Sequence, residues 1–428
     1  MKRLLIPFLF IPVLSQAQAS KTDSVKYASS VKYYSKLIHQ KPEAVNFYKR
    51  AAAKYGLKDY SGAVADFSEA IKLNQNYEDA YIERGLAKEY INDDYKGAIE
   101  DYTKAITINP KGPIAYYDRG IAKRKLEQLK EAILDFDKAI ALRNTDADFF
   151  NERGIAKKDL EDYKGAIADY DAAVKLNPKA AGSIYNRGFA KHLSKNYKAA
   201  IEDFNLAATI TPDDPDIYYR RGNSKRYLED YKSALDDYNK TLSIDDKYVS
   251  AYNSRSLTKY DLEDYDGAVA DATKAITLDP KYDIAYYNRG IANDRLNNYA
   301  DAVDDYSQYI LLAPKDPDGY FKRGTSKLNM EDYANSITDL DVTISLDAKY
   351  TDAWYNRALA KRLLENFNGA LADYNKAVEL NPKDGDTFNG RGLTKHYLKD
   401  DAGACADFKK AIELGNKDAS SNLTKFCK

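Results

Sequence analysis

From Lys164 to Leu176 the apolar residues Ala166, Ile167, Tyr170, Ala173 and Val174 fall at i, i+1, i+4, i+7 and i+8, which places them on one face of a helix. The stretch before it, Asp148 to Leu160, opens on an acidic residue suited to a helix start and contains no proline, so it predicts a first helix. Glu161, Asp162 and Tyr163 form a short polar connection between the two. Asn177-Pro178 stops the second helix, because proline has no amide hydrogen to donate and disfavours a helical residue ahead of it. The same stop recurs at Pro110, Pro212, Pro280, Pro314 and Pro382. The predicted unit is therefore a helix, a tight turn and a second, antiparallel helix.

This pattern repeats with a fixed period. Arginine stands at 50, 84, 119, 153, 187, 221, 255, 289, 323, 357 and 391, every 34 residues apart from a step of 35 after Arg84. An aspartate follows each arginine by 16 residues, or by 17 at Asp101, so the extra residue of that repeat belongs near Ile91 to Asp94. A period of this length predicts a stack of helix pairs, none of which can bury its apolar face alone.

Composition narrows the function. Lysine plus arginine (65) nearly cancels aspartate plus glutamate (66), which gives no long-range field for nucleic acid or an anionic membrane. Lys2 and Arg3, the apolar run from Leu4 to Leu14 and the small-x-small site Ala17-Gln18-Ala19 predict a signal peptide over residues 1–19. That run is too short to cross a bilayer core of about 30 Å, and no later stretch is apolar enough for a transmembrane segment. The expected location is thus exported, in a bacterial periplasm or secreted.

The recurring residues resemble the tetratricopeptide repeat, whose pattern is an aromatic, Leu-Gly, Tyr, Ala, an aromatic and Pro. The leading aromatic stands at Phe47, Tyr81, Tyr116, Phe150, Tyr218, Tyr252, Tyr286, Tyr320, Trp354 and Phe388, with Ile184 as the exception. Close-packing glycines run from Gly85 and Gly120 to Gly392, and second-helix alanines from Ala63 to Ala404. The second-helix aromatic fails only at Ala272 and Leu340. The resemblance implies an all-α fold, a right-handed α-solenoid or superhelix of eleven such units over residues 43–416, with the first helices on its concave side. Residues 20–42 and 417–428, each carrying an amphipathic pattern, are expected to be short N- and C-terminal cap helices.

Two positions depart from the family. Arg replaces the Leu before the glycine, and Lys replaces the following Tyr except at Asn293. Both lie on one face of the first helix, four residues apart. They predict a ladder of internal Arg–Asp pairs, since Arg153 and Asp169 fall at similar heights about the turn near residue 162. A basic stripe for nucleic acid, polysaccharide or an acidic peptide is the alternative.

No motif for catalysis, metal or cofactor is present. His192 and His396 occupy equivalent positions six repeats apart and cannot share a metal, His39 is a third lone histidine, and there is no His-Glu-x-x-His, Gly-x-Ser-x-Gly or Cys-x-x-Cys. No enzyme, metal site or cofactor is expected. Cys405 in the last second helix and Cys427 in the C-terminal cap are separated by 22 residues, which predicts a disulfide; two separate buried thiols are the alternative. The residue after the leading aromatic varies from repeat to repeat, as does the residue seven further on, and the resemblance places both on the concave side. Tyr185, Tyr219, Tyr287, Phe321 and Tyr355 are the predicted contacts for an extended protein segment, with Arg226 and Arg362 pairing to its acidic groups. Packing of these rings between repeats is the competing reading. The expected function is a non-enzymatic scaffold with a protein or peptide partner. A polysaccharide or peptidoglycan binder and an accessory subunit of a partner enzyme remain as alternatives, and oligomeric state is left open.

Overall fold

A computed structural model describes residues 21–427. The segment 1–19 read as a signal peptide lies outside the described residues. The chain divides into two compact units, Met1–Ile210 and Thr211–Lys428.

The first unit contains α1 (Lys21–Gln40), α2 (Ala44–Gly56), α3 (Tyr60–Leu73), α4 (Glu78–Glu89), α5 (Tyr95–Ile108), α6 (Pro113–Lys125), α7 (Leu129–Leu142), α8 (Ala147–Asp159), α9 (Tyr163–Leu176), α10 (Ala181–Leu193) and α11 (Tyr197–Ile210). The second contains α12 (Pro215–Arg226), α13 (Tyr231–Ile244), α14 (Val249–Asp261), α15 (Tyr265–Leu278), α16 (Asp283–Arg295), α17 (Tyr299–Leu312), α18 (Pro317–Asn329), α19 (Tyr333–Leu346), α20 (Thr351–Leu363), α21 (Phe367–Leu380), α22 (Gly385–Tyr397), α23 (Asp401–Glu413) and α24 (Ala419–Phe426). Each even-numbered helix from α2 to α22 pairs with the odd-numbered helix that follows it, and within each unit successive pairs stack. Both units are therefore all-α solenoids of helix hairpins. We call the first helix of a pair A and the second B.

The turn is built without glycine. Helix α8 ends at Asp159 with Leu160 as its C-cap, and Glu161 then takes a left-handed φ of 62°. Its amide donates to the Lys158 carbonyl at 2.9 Å, and the Asp162 amide donates to the Lys157 carbonyl at 2.9 Å, which satisfies carbonyls the helix end would leave open. The Asp162 carboxylate then accepts from the Gly165 amide at 2.9 Å and caps α9. A positive-φ residue recurs in every such turn, and the extra residue of the 35-residue repeat is absorbed there, where Asn92 and Asp93 both adopt positive φ.

Close approach of A to B explains the recurring glycine. Tyr170 of α9 is wholly buried and lies over Gly154 of α8, where a Cβ would sit 2.7 Å from the ring edge. At Ala272, where the B aromatic is missing, the glycine is also missing: Ser256 takes its place and its hydroxyl donates to the Ala268 carbonyl at 2.7 Å. The two positions are not locked together, since Ala51 packs in one cluster with Phe67, Ala358 with Tyr374, and Gly324 lies against Leu340.

The charged stripe is internal. Arg153 donates from Nε to Asp169 Oδ2 at 2.9 Å and from Nη2 to Oδ1 at 2.5 Å, while Lys157 Nζ lies 2.8 Å from Oδ2. Asp169 is only 4% exposed, so its charge is held almost dry between two cations. The pair recurs within each hairpin, from Arg50–Asp66 to Arg391–Asp407. Where Asn293 replaces the lysine, its amide donates to Asp305 at 3.0 Å. With one cation fewer, the buried Asp305 carboxyl is held above the usual carboxylate range by desolvation, which Arg289 offsets only in part.

A third partner was not legible as such in the sequence. The remaining guanidinium nitrogen reaches an oxygen 16 residues earlier, on the B helix of the preceding pair: Ser68 for Arg84, Thr103 for Arg119, Asp137 for Arg153, Ser307 for Arg323 and Asp341 for Arg357. The guanidinium also lies over the leading aromatic ring three residues before it, 5.6 Å from the Phe150 centroid and 4.6 Å from Trp354. Each of these arginines thus joins its own hairpin to the one before.

Candidate protein-binding face

The variable stripe of the A helices is aromatic and half-buried. In the first unit, Tyr185 of α10 packs against Phe189 and the buried Phe204, with ring centroids 6.5 and 5.8 Å away. In the second, Tyr219 of α12 lies 5.0 Å from Tyr248 and 6.2 Å from Tyr238, and Tyr287 of α16 lies 5.2 Å from Tyr309 and 5.9 Å from Tyr306. Phe321 of α18 leans on Tyr350 at 4.8 Å, and Tyr355 of α20 on Tyr374 at 5.8 Å. Packing and exposure are therefore combined: one side of each ring rests on the hairpin behind it, and the rest stays accessible. Burial, followed by nearby carboxylates, pushes the Tyr287 hydroxyl up to about 12, so it remains a neutral donor at physiological pH.

Phe321 and Tyr355 meet at an open hollow of about 420 Å³ with Asp352, Asn356, Asn381, Asp384 and Asp386 around it. Further carboxylates lie close by, with the Tyr350 hydroxyl donating to Asp318 at 2.8 Å and the Tyr309 hydroxyl donating to Asp316. This part of the stripe is aromatic and acidic.

The two arginines expected to meet a partner's acids are engaged within the chain. Arg226 Nη2 pairs with Asp261 of the next A helix at 2.7 Å, and the Arg362 guanidinium bonds the Tyr374 hydroxyl behind it. For Arg226 the adjacent hairpin supplies the acid a partner had been expected to supply, and for Arg362 the B helix of its own hairpin supplies a hydroxyl. Asparagines on the stripe are used in the same way: Asn253 accepts from Asn288 at 2.8 Å, and Asn389 from Asn422 at 2.9 Å. The residue just after the variable position, as at Asn288, reaches back to the preceding A helix. Its run of acids at Glu83, Asp118 and Glu152, followed by amides at Asn186, Asn288 and Asn356, was the signal that the sequence reading left unused.

In the first unit that position holds an acid at Glu83, Asp118 and Glu152. Glu83 and Glu89 lie on α4, and Asp118 on α6 is 8% exposed. Burial pushes the Glu83 carboxyl up to about 7, with Asp79 adding to it; burial also brings Glu89 up to about 7, against the Tyr102 hydroxyl and Lys125. Asp118 is held well above the carboxylate range by burial and by these two glutamates. For an acid with a raised folded value, the folded state keeps its proton longer than the unfolded state. Stability is then highest below about pH 4.5 and falls as pH rises to 7. We expect urea unfolding to show a less stable chain at pH 8 than at pH 5. Glu83→Gln should remove about 1–2 kcal/mol of that difference. A difference left unaltered by Glu83→Gln would contradict this assignment.

Among the described residues no group of histidine, cysteine, aspartate and glutamate side chains could hold a metal ion, and no helix is long and apolar enough to cross a membrane. Cys405 of α23 and Cys427 after α24 are joined by a disulfide, with Cα atoms 5.8 Å apart.

Sequence models described as tetratricopeptide repeat match residues 114–146, 151–215, 215–248, 253–319 and 351–384, and one described as TPR repeat matches 88–126. No curated protein matches the chain. Among solved structures it is similar to YrrB, described as a TPR protein with an unusual peptide-binding site, at 25% identity over 43% of this chain and 95% of that one, with a TM-score of 0.39. A tetratricopeptide repeat protein from Parabacteroides merdae is 16% identical over 58% of this chain and 98% of that one, with a TM-score of 0.47. Yeast Tom70 is 17% identical over 94% of this chain and 93% of that one, with a TM-score of 0.39. Helix hairpins of this one kind make up the described chain from α2 to α23, and with the matches along it they identify a member of the tetratricopeptide-repeat family.

Proposed function

We propose that the protein is an exported scaffold of eleven repeats that holds an extended segment of a partner protein against its A helices. The observation that carries this reading is the half-buried aromatic stripe of the second unit, where Tyr287, Phe321 and Tyr355 are supported from behind and open in front. Rings fixed by packing lose little freedom on binding and bury large area, which is why such residues dominate protein interfaces. In this reading α1 and α24 cover the first and last repeats, and the leader is cut after Ala19. The disulfide supports an oxidising compartment such as a bacterial periplasm.

A peptide selected from a random library against the whole chain tests the reading. Tyr287→Ala with Phe321→Ala should weaken it by more than about 1 kcal/mol while helicity and melting temperature stay close to those of the parent. Unchanged affinity in the folded double variant would move the binding site elsewhere, and selection of glycans in place of peptides would replace the protein partner by a polysaccharide.

A further inference from the structure

The chain treats its buried acids in two different ways. Asp169 and its counterparts in the ladder each face an arginine and a lysine, or an asparagine in one repeat. Asp118 does not. Its Oδ2 is buried without a hydrogen-bond partner, and the charges it faces, Glu89 and Glu83, are of the same sign. Glu89 accepts from the Tyr102 hydroxyl at 2.7 Å, so α4, α5 and α6 all contribute to one place. Glu83 faces Tyr48 and Tyr55 of α2, and Asp79 of its own helix. The cations nearby belong to the periphery: Lys125 acts on Glu89, and Arg124 is taken by Glu152 at 2.8 Å.

We propose that Glu83, Glu89 and Asp118 form a subsite for one cationic side chain, lysine or arginine, of the segment bound along the first unit. An unpaired buried carboxyl beside two further acids is unfavourable in the empty chain and becomes favourable once a cation enters, so its cost is recovered on binding. An ammonium or guanidinium with several donors suits acids spread over two helices, and none of these groups is arranged to hold a metal ion. The tyrosines around the acids supply the apolar walls that the stem of such a side chain needs. This subsite rests on the groove-binding reading above and adds to it the charge of the partner.

The test uses a random dodecapeptide library displayed on phage and selected on the whole chain at pH 7.5. The selected peptides are expected to share a fixed lysine or arginine. Changing that residue to glutamine in a synthetic peptide should weaken binding at least about tenfold. On the chain carrying Glu83→Gln and Glu89→Gln, the basic and glutamine peptides should bind nearly alike. If the double variant fails to fold, Glu89→Gln alone should reduce the discrimination between the two peptides. Peptides without a fixed basic residue, or a discrimination that survives the glutamate changes, would overturn the subsite and leave groove binding intact. No enrichment of any peptide would overturn groove binding itself.

Discussion

Asp169→Ala is expected to destabilise the chain by about 3–5 kcal/mol, the largest effect of any single change considered. The substitution leaves Arg153 and Lys157 facing each other where one carboxylate had held both, and removes a bidentate pair from a site that is almost dry. Arg153 also ties α8 to Asp137 of α7, so the damage extends to the stacking of one hairpin on the next. Repeat solenoids unfold by neighbours, so the loss should concentrate in α8 and α9 as faster amide exchange there. Replacing the whole set in the family's manner, Arg153→Leu with Lys157→Tyr and Asp169→Ala, should restore most of the stability, because an apolar seam of similar volume needs no desolvated charge. Urea titrations of the two variants check this. A mild Asp169→Ala, or a triple variant as unstable as the single one, would show that the ladder is not what holds the seam.

Loss of the disulfide should have the next largest effect, about 3 kcal/mol for a closed loop of this size, and confined to the end of the chain. Few other contacts hold α24: it is short, and Ala419 alone among its residues is buried. Phe426 rests on His396 at 4.2 Å and on Phe408 at 6.3 Å, and the bond beside it keeps that contact closed. In Cys427→Ser, amides of α23 and α24 should exchange at least about tenfold faster while those of the first unit are unchanged. Equal exchange in both proteins would mean that α24 docks without the bond.

What the sequence made legible was whatever repeats. Arginine, aspartate, glycine and the two aromatics recur because each repeat solves the same packing problem, and their spacing exposes the hairpin, its turn and the Arg–Asp pair. The third partner of each arginine was harder to see, because Ser, Thr, Asn and Asp all supply the oxygen it needs and no single residue type marks the position. The left-handed turn residue was hidden in the same way, since Lys, Glu and Asn occupy it and glycine does not. The variable stripe suffers from the opposite difficulty. Arg226 and Asp261 lie 35 residues apart on neighbouring A helices, and only the stacking of the pairs shows that the arginine is answered inside the chain. Asp118 looks like an ordinary surface acid in the sequence; burial between α4 and α6 gives it its character.

Hydrogen exchange of the whole chain, with and without a library-selected peptide, tests most directly the claim that the repeated residues hold the solenoid and the variable A-helix stripe holds the partner. The account predicts slowed exchange in A helices, above all α16, α18 and α20 around Tyr287, Phe321 and Tyr355, and no change in their B partners α17, α19 and α21. Slowed exchange confined to the B helices, with the A helices unaltered, would contradict it.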